Sequence, residues 1–444
     1  MTGTRWNFDT RQVHSGAAPD TSTRARATPI YATTSFVYTG TEQAAASFRL
    51  DDLDSFAYSR LSNPTSAVAE RRIADLEGGA FAVAVASGQA ATSLALLNLL
   101  RSGDHVVSSA HVYGGTTNLF LQRFAELGID ATLVSEIDDP AAWRAAITPR
   151  TRALFGESIG NPIGSVLDIA AVAEVAHEAG VPLVIDNTLA TPYLIRPIEH
   201  GADIVVHSTS KYLSGHGTVI GGVIVDSGRF DFGADPDRWP GLTRPNVAGE
   251  PSYWERFGEQ GLAYALRLRT TVLRDYGPAA SPFNSFQLLQ GLETLSLRIR
   301  RHVANATAIA EHLQTRPEVG VVHYAALPSS PWSANAARYA PEGSGAIVSF
   351  ELEAGSQAAR AFVESLELFS HLANIGDTRS LVIHPASTLN SSLSPEQLRS
   401  AGIAPSLVRL SVGIEDVRDL IDDLDRAFAA IASAAHHHNP KEQQ

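Results

Sequence analysis

The sequence predicts an α/β fold with a mainly parallel seven-stranded sheet, a smaller C-terminal α+β domain and an extended N-terminal arm. From about residue 65 to residue 275, short apolar runs typical of buried strands alternate with helical stretches, which favours parallel strands joined by helices. Beyond residue 276 a long helical stretch is followed by separate strand-like runs. The seven strand-like runs of the first region are residues 82–86, 105–108, 131–134, 152–155, 181–185, 204–206 and 223–225.

These patterns divide the chain into three parts. Residues 1–64 have no sustained period, so we expect an arm without a core of its own. Residues 65–275 form the predicted sheet domain, in which the Gly-, Pro- and Asp-rich stretch 228–256 is expected to be a loop or lid without regular structure. Residues 276–444 form the smaller domain, which ends in an amphipathic helix. The apolar face of that helix consists of Val417, Leu420, Ile421, Leu424, Phe428 and Ile431.

Composition excludes several classes of function. The 444 residues carry 34 Lys and Arg against 47 Asp and Glu, and the net charge of −13 argues against binding to nucleic acid or an anionic membrane. The chain has no Cys, which excludes disulfides and thiol catalysis. We expect no metal site and interpret His436 to His438 as a disordered polar tail. Because no apolar run reaches membrane length and the first twenty residues lack a signal-peptide pattern, we expect a cytoplasmic protein.

Lys211 is the strongest candidate for chemistry. It follows the apolar run 204–206 within Ser208-Thr209-Ser210-Lys211-Tyr212 and precedes a glycine-rich stretch. A lysine that is partly buried beside hydroxyls loses its proton more easily, as a Schiff-base lysine must before it attacks an aldehyde. The alternative is a lysine at a strand end whose ammonium reaches solvent.

Asp186 strengthens this interpretation because it ends the apolar run 181–185, one predicted strand before Lys211. The carboxyl ends of parallel strands meet at one edge of a sheet, where ligands bind. A lysine and an aspartate at that edge match the needs of pyridoxal 5′-phosphate (PLP): the lysine holds the aldehyde, and the carboxylate keeps the pyridine nitrogen protonated. The alternative for Asp186 is a helix or turn cap.

A third segment predicts a phosphate cup. The small-residue strand 82–86 runs into Ser87-Gly88-Gln89 and then a helix, so the backbone at Gly88 and the unpaired N–H groups of the helix can receive a phosphate. The hydroxyls of Ser208 and Ser210 are candidates to complete the cup. An ordinary helix N-cap is the alternative.

Six motifs then occur in the order seen in one known family. They are Tyr58-Ser59-Arg60 with Asn63-Pro64-Thr65, Val112 to Thr116, Asn161-Pro162, Asp186 to Thr188, Ser208 to Lys211, and Arg409 to Asp416. On these motifs the chain resembles the Cys/Met-metabolism family of PLP enzymes, which implies a fold-type I PLP-dependent transferase. Residues 215–228, 281–295 and 374–388 resemble the O-acetylhomoserine sulfhydrylases of that family, which implies an amino-acid substrate, sulfide and a role in methionine biosynthesis.

The resemblance also implies roles around the substrate. Arg409 is expected to bind the substrate α-carboxylate with help from Asn161 and Ser380. Strand alternation independently places Arg409 on a face opposite its apolar neighbours, where it needs a partner, and an internal salt bridge to Glu415 or Asp416 is the alternative.

Three tyrosine and arginine positions complete the expected site. The resemblance implies that Tyr113, beside Gly114-Gly115, stacks on the pyridine ring as a catalytic and cofactor-binding residue. It also implies that Tyr58 and Arg60 reach the PLP phosphate of a neighbouring subunit, so that we expect a homotetramer built as a dimer of dimers. A solvated arm is the alternative for these two residues.

Two departures from the family pattern concern the acceptor. The chain has Leu389-Asn390 where the sulfhydrylases usually have Thr-His, which puts the acceptor nucleophile in doubt. Ser210 replaces a common threonine but keeps the hydroxyl. The alternatives within the enzyme class are a cystathionine γ-synthase or γ-lyase, or γ-replacement with another nucleophile. Outside it they are a nucleotide-binding module, suggested weakly by the glycines after Lys211, and a catalytically silent PLP carrier.

Overall fold

In the computed structural model, the described part of the chain is residues 6–437 apart from 246, 248 and 392. The first sheet has the predicted seven strands in the order β1-β7-β6-β5-β4-β2-β3. Only β7 runs antiparallel to its neighbours, so the mainly parallel α/β fold is confirmed. β5 begins after Pro182, which lacks the N–H that a ladder requires. The strands are β1 (Phe81–Val85), β2 (His105–Ser109), β3 (Asp130–Val134), β4 (Thr151–Glu157), β5 (Leu183–Asp186), β6 (Ile204–Ser208) and β7 (Gly222–Asp226).

A second, five-stranded sheet has the order β10-β11-β12-β9-β8. On it lies the predicted C-terminal amphipathic helix, whose Leu420, Leu424 and Phe428 are fully buried. Phe428 packs on Phe362 and Phe350 at ring-centroid distances of 4.6 and 6.3 Å. The strands are β8 (Val319–His323), β9 (Ile347–Leu352), β10 (Ser370–His371), β11 (Leu381–Ile383) and β12 (Leu407–Ser411).

Helices cover both sheets, and several begin at the residue types that satisfy free N–H groups. Asn63, Ser87 and Asp168 each accept a backbone N–H in the first turn of the helix that follows. The helices are α1 (Phe8–His14), α2 (Thr41–Phe48), α3 (Pro64–Glu77), α4 (Gly88–Leu97), α5 (Gly114–Asn118), α6 (Pro140–Ala146), α7 (Ile169–Glu178), α8 (Thr191–Leu194), α9 (Pro240–Thr243), α10 (Tyr253–Phe257), α11 (Ala263–Arg267), α12 (Arg274–Tyr276), α13 (Pro282–Glu293), α14 (Leu295–Gln314), α15 (Ser333–Tyr339), α16 (Gly355–Ser365), α17 (Pro395–Ser400) and α18 (Val417–His437). Helical turns of other pitch occupy Leu119–Phe124, Pro197–His200, Leu268–Leu273 and Pro385–Ser387.

Two regions contain more regular structure than the sequence predicts. The arm includes α1 and α2, and α1 is docked because Gln12 exchanges hydrogen bonds with Ser296 at 2.9 and 3.0 Å. The stretch 228–256 contains α9 and α10, so the prediction of an irregular loop is wrong there. Ser252 and Glu255 form a capping box at the start of α10. This motif indicates a helix start, but the Gly-, Pro- and Asp-rich composition of the stretch indicated a loop. The division into residues 1–64, 65–275 and 276–444 stays a prediction.

Two further observations concern membrane-spanning helices and the C-terminal histidines. Across the part of the chain that the structure describes, no helix is both long and apolar enough to cross a bilayer. The helix α18 continues to His437, so the prediction of a disordered tail is wrong for the backbone at 436 and 437. Residue 438 and the side chains of the histidines lie outside the described part of the structure.

Candidate active site

A cavity of about 630 Å³ opens at the carboxyl edge of the first sheet. Nine of the twelve predicted site residues line it: Gly88, Gln89, Tyr113, Asn161, Asp186, Ser208, Ser210, Lys211 and Arg409. They come from the ends of β1, β4, β5 and β6, from the segment that follows β2, and from β12 of the second sheet. The structure therefore brings together residues separated by more than 300 positions in sequence.

Lys211 lies in the turn that follows β6, and its ammonium donates a hydrogen bond to the side-chain oxygen of Asn374. Burial lowers the pKa of Lys211, and the positive charge of Arg409 lowers it further. Both effects favour the neutral amine that attacks carbonyl groups and removes protons. The sequence contains only one other lysine, Lys441.

Asp186 ends the neighbouring strand, in register with Val206 of β6. Its Oδ1 accepts hydrogen bonds from the backbone N–H and the hydroxyl of Thr188, at 2.9 and 2.5 Å. Burial raises the pKa of Asp186, while these bonds and the nearby His207 oppose that rise. Asp186 is thus a desolvated carboxylate that a cation in the cavity would stabilise.

Glu157 is a buried acid at the cavity that the sequence analysis did not single out. It ends β4 directly beside Asp186 in the register of the sheet. Its Oε1 accepts the backbone N–H of Tyr113 at 2.6 Å, and burial together with the charge of Asp186 raises the pKa of Glu157 well above its usual value. Two adjacent acids in a dry site do not both ionise readily, so we assign the proton to Glu157 and the charge to Asp186. The signal was available, because Glu157 follows an apolar run as Asp186 does.

A second pair lies behind Asp186 and was also missed. His207 Nε2 and Glu77 Oε1 are 2.6 Å apart, and both side chains are fully buried. Glu77 Oε1 also accepts a hydrogen bond from the amide of Asn187 at 2.8 Å. Glu77 thereby connects His207, near the end of β6, with Asn187, which follows the end of β5. No local pattern in the sequence connects Glu77 with a residue 130 positions away.

The predicted phosphate cup lies at the start of α4, where Gly88 is in close contact with the end of β6. Ser87 caps α4 by accepting the N–H of Ala90. A Cβ at Gly88 would lie 2.5 Å from the Cβ of Ser208, so the strand end and the helix start approach at the limit of contact. Ser208 is held by its N–H, which donates to the hydroxyl of Thr188 at 2.8 Å. The hydroxyl of Ser210 exchanges hydrogen bonds with the backbone of Gly221, so it is used within the protein, and its predicted place in the cup stays a prediction.

Arg409 points from β12 into the cavity wall. It donates to Oδ1 of Asn161 at 3.0 Å and to the carbonyl of Asn374 at 3.1 Å. Its Nε is buried and has no hydrogen-bond partner among the described residues, and burial lowers the pKa of Arg409 to about 10. Among the described residues, Arg409 makes neither of the alternative salt bridges: Glu415 bonds to Ser380, and Asp416 pairs with Arg418. Arg409 is therefore an oriented cation that lacks an anion.

Comparison with known proteins identifies the family. The sequence profile of the Cys/Met metabolism PLP-dependent enzymes matches residues 9–429. The chain belongs to this family. O-acetyl-L-homoserine sulfhydrylase of Corynebacterium glutamicum is 47% identical over 430 residues, covering 96% of this chain and 98% of that protein. Homocysteine synthase of Schizosaccharomyces pombe is 47% identical over 424 residues, covering 95% and 98%.

A solved structure supports the same assignment. The putative O-acetylhomoserine (thiol)-lyase of Campylobacter jejuni superposes with a TM-score of 0.91 at 39% identity, covering 96% of this chain and 100% of that one. It contains N′-pyridoxyl-lysine-5′-monophosphate. This chain is likewise a PLP-dependent enzyme.

The cavity of this family member fits PLP on its own geometry. Lys211 is a buried amine for the aldehyde, and Asp186 is a desolvated carboxylate for the pyridinium. The backbone at Gly88 leaves the space that a side chain would fill. The ring of Tyr113 is 46% exposed at the cavity and is therefore accessible for stacking with a flat ligand.

Three predicted residues do not line the cavity. Ser380 is fully buried; its hydroxyl donates to Glu415 at 3.0 Å and accepts the N–H of Gly413 at 2.8 Å. Because those bonds use the hydroxyl within the protein, the structure does not favour the predicted substrate contact. Tyr58 is 42% exposed, with the guanidinium of Arg60 over its ring at 5.5 Å. Arg60 also donates to the carbonyl of Arg274.

Replacement of Gly88 by alanine is expected to weaken cofactor binding. The added methyl group would overlap Ser208, and either the strand end or the helix start must move. Titration of the apoenzyme with PLP should show an affinity lower by about tenfold or more, the effect of losing one charge-assisted hydrogen bond to phosphate.

Gly40→Ala is the matched control, because a Cβ at Gly40 meets nothing within 4 Å. Equal PLP affinity in Gly88→Ala and Gly40→Ala would contradict the phosphate cup.

Proposed function

We propose that the enzyme catalyses PLP-dependent γ-replacement on O-acetyl-L-homoserine with sulfide, forming L-homocysteine and acetate in methionine biosynthesis. The names of the relatives from C. glutamicum and S. pombe support this choice. The proposal assigns Arg409 and Asn161 to the substrate, Lys211 to proton transfer, and Asp186 with the cup at Gly88 to the cofactor.

One observation favours a small acceptor. Among the described residues that line the cavity, Lys211 and Arg409 are the only lysine or arginine side chains. If Arg409 binds the α-carboxylate of the donor and Lys211 serves the reaction, the cavity has no third cation for a second amino acid. A cysteine acceptor would bring a second carboxylate whose desolvation would not be compensated. Sulfide brings none.

Arg409 is prepared for a carboxylate before substrate arrives. Asn161 and the carbonyl of Asn374 hold its two terminal nitrogens, and its buried Nε lacks a partner. A bound carboxylate adds the missing negative charge, and a guanidinium held in one orientation loses little entropy on binding.

Lys211 is the proton carrier that the geometry supports. When bound, PLP withdraws electrons from the substrate α-carbon. Lys211 removes the proton at Cα, and its lowered pKa makes the free amine available for this step. Loss of a Cβ proton then allows the Cγ–O bond to break with departure of acetate. Hydrosulfide forms the new Cγ–S bond, and protons return to Cβ and Cα, so the two protons taken from the substrate are restored. Asn374 holds the Lys211 ammonium between proton transfers.

The quaternary arrangement is part of the same proposal. The arm places Tyr58 and Arg60 together on its surface but outside the cavity of its own chain. We assign them to the phosphate of a neighbouring subunit within a homotetramer. The cytoplasmic location stays a prediction from sequence.

Lys211→Ala is expected to abolish turnover and the visible absorbance of lysine-linked PLP, while the fold is retained. The chain has only two lysines, so borohydride reduction of the holoenzyme followed by peptide mapping should place the cofactor on Lys211 alone. Lys441→Arg is the control and should behave as the wild type. Label at residue 441, or turnover in Lys211→Ala, would contradict the assignment.

Mixing two inactive variants tests the arm. If Arg60 serves the partner's site, Arg60→Ala mixed with Lys211→Ala should regain activity, because some hybrid sites contain both wild-type residues. Fluorescence energy transfer between labelled parents should verify subunit exchange. Exchange without recovery would show that Arg60 acts within its own chain.

The acceptor is tested by competition. Supplied with O-acetyl-L-homoserine, cysteine and sulfide together, the enzyme is expected to release mainly homocysteine, because the cavity lacks a second carboxylate partner. Mass spectrometry would quantify homocysteine against cystathionine. Mainly cystathionine would favour a cystathionine γ-synthase, and neither product would favour another nucleophile admitted by Leu389 and Asn390.

A further inference from the structure

A second cavity, of about 200 Å³, lies at the end of α4 opposite the cofactor site. We call it the arginine cavity, because four arginines contribute to its wall. Its polar lining residues include Asn98, Arg101, Asp104, Arg152, Arg238 and Arg267.

The charges of the arginine cavity are only partly compensated. Three ion pairs at or behind its wall are Arg152–Asp104 at 3.1 Å, Arg238–Asp235 at 3.4 Å and Arg244–Asp237 at 2.9 Å. Within residues 6–437, as far as they are described, neither Arg101 nor Arg267 has a carboxylate partner. The cavity therefore keeps two uncompensated positive charges in a protein whose net charge is −13.

Arg267 is held in place rather than free at the surface. It is half-buried, and its Nη1 donates to the backbone and side-chain oxygens of Asn98 at 2.7 and 2.6 Å. Burial lowers the pKa of Arg267, and the charge of Arg101 adds to this effect. A Cβ at Gly241 would lie 2.7 Å from its Nη2, so the backbone at Gly241 packs closely against the guanidinium and helps to hold it in place.

We propose that the arginine cavity binds a small dianionic oxyanion, such as phosphate, sulfate or the head group of a phosphomonoester. Two guanidinium groups match the charge of such a ligand, and each can donate hydrogen bonds to its oxygens. Their repulsion, together with the desolvation of Arg267, is relieved when the anion enters.

The site lies at the far end of the helix that starts in the predicted cofactor cup. The helix α4 starts at Gly88 and ends beside Asn98, the residue to which Arg267 donates. A helix of ten residues spans about 15 Å. An anion near this C-terminal end opposes the helix dipole, so the positive charges of Arg101 and Arg267 must outweigh that repulsion for the anion to bind.

Calorimetric titration of the holoenzyme tests the proposal, since bound PLP then occupies the cofactor cup. The titrants are inorganic phosphate, sulfate and glycerol phosphate, each at constant ionic strength in chloride. We expect binding to the wild type and an affinity lower by about tenfold in Arg101→Gln and in Arg267→Gln, the loss of one charge-assisted hydrogen bond. The order of the three affinities distinguishes a free ion from a phosphomonoester.

Arg123→Gln is the matched control, because Arg123 is exposed, pairs with Glu126 and lies outside the cavity. It removes the same charge and should leave the affinity unchanged. Arg101 is exposed, so its variant keeps the test decisive if Arg267→Gln fails to fold. Absence of binding to the wild type, unchanged affinity in Arg101→Gln, or an equal loss in Arg123→Gln would overturn the proposal. None of these outcomes depends on the proposed reaction.

Discussion

The site depends on the placement of two carboxyl groups at the ends of adjacent parallel strands. Glu157 and Asp186 are in register on β4 and β5, and both are removed from water. Such a pair is unfavourable unless a proton and a cation compensate it. The bonds from Thr188 and the His207–Glu77 pair behind the strands supply part of this compensation. A pyridinium at Asp186, as proposed, would supply the rest, and the cofactor would then be part of the electrostatic balance of the core.

The second sheet completes the site by supplying groups that the first sheet lacks. Asn374 holds the ammonium of Lys211, and Arg409 of β12 reaches Asn161 across 248 positions of sequence. Asn374 lies between β10 and β11, so both contacts join the second sheet or its connections to the first sheet. The relative position of the two sheets therefore sets the orientation of Lys211 and Arg409. Under the proposed roles, a shift of the second sheet would alter substrate binding and proton transfer together.

Much of this arrangement follows from sequence by one rule, which is that residues ending neighbouring parallel strands share an edge. The rule found Lys211, Asp186 and the cup at Gly88, and applied consistently it would have found Glu157. It fails where a contact needs three-dimensional information, as with Glu77. Ser380 shows a different limit, since its motif matches while its hydroxyl donates to Glu415, and its contact with substrate stays a prediction.

The scarcity of lysine gives the molecule an unusual surface. Basic positions are almost entirely arginine, whose guanidinium does not act as a nucleophile near neutral pH. Lys211 is the only lysine in the part of the chain that the structure describes, and it lies inside the catalytic cavity. Aldehydes and other carbonyl electrophiles that modify surface amines in most proteins therefore have few targets here. If Lys211 holds the cofactor as proposed, the amine whose pKa the fold lowers is also the one that the cofactor's aldehyde protects.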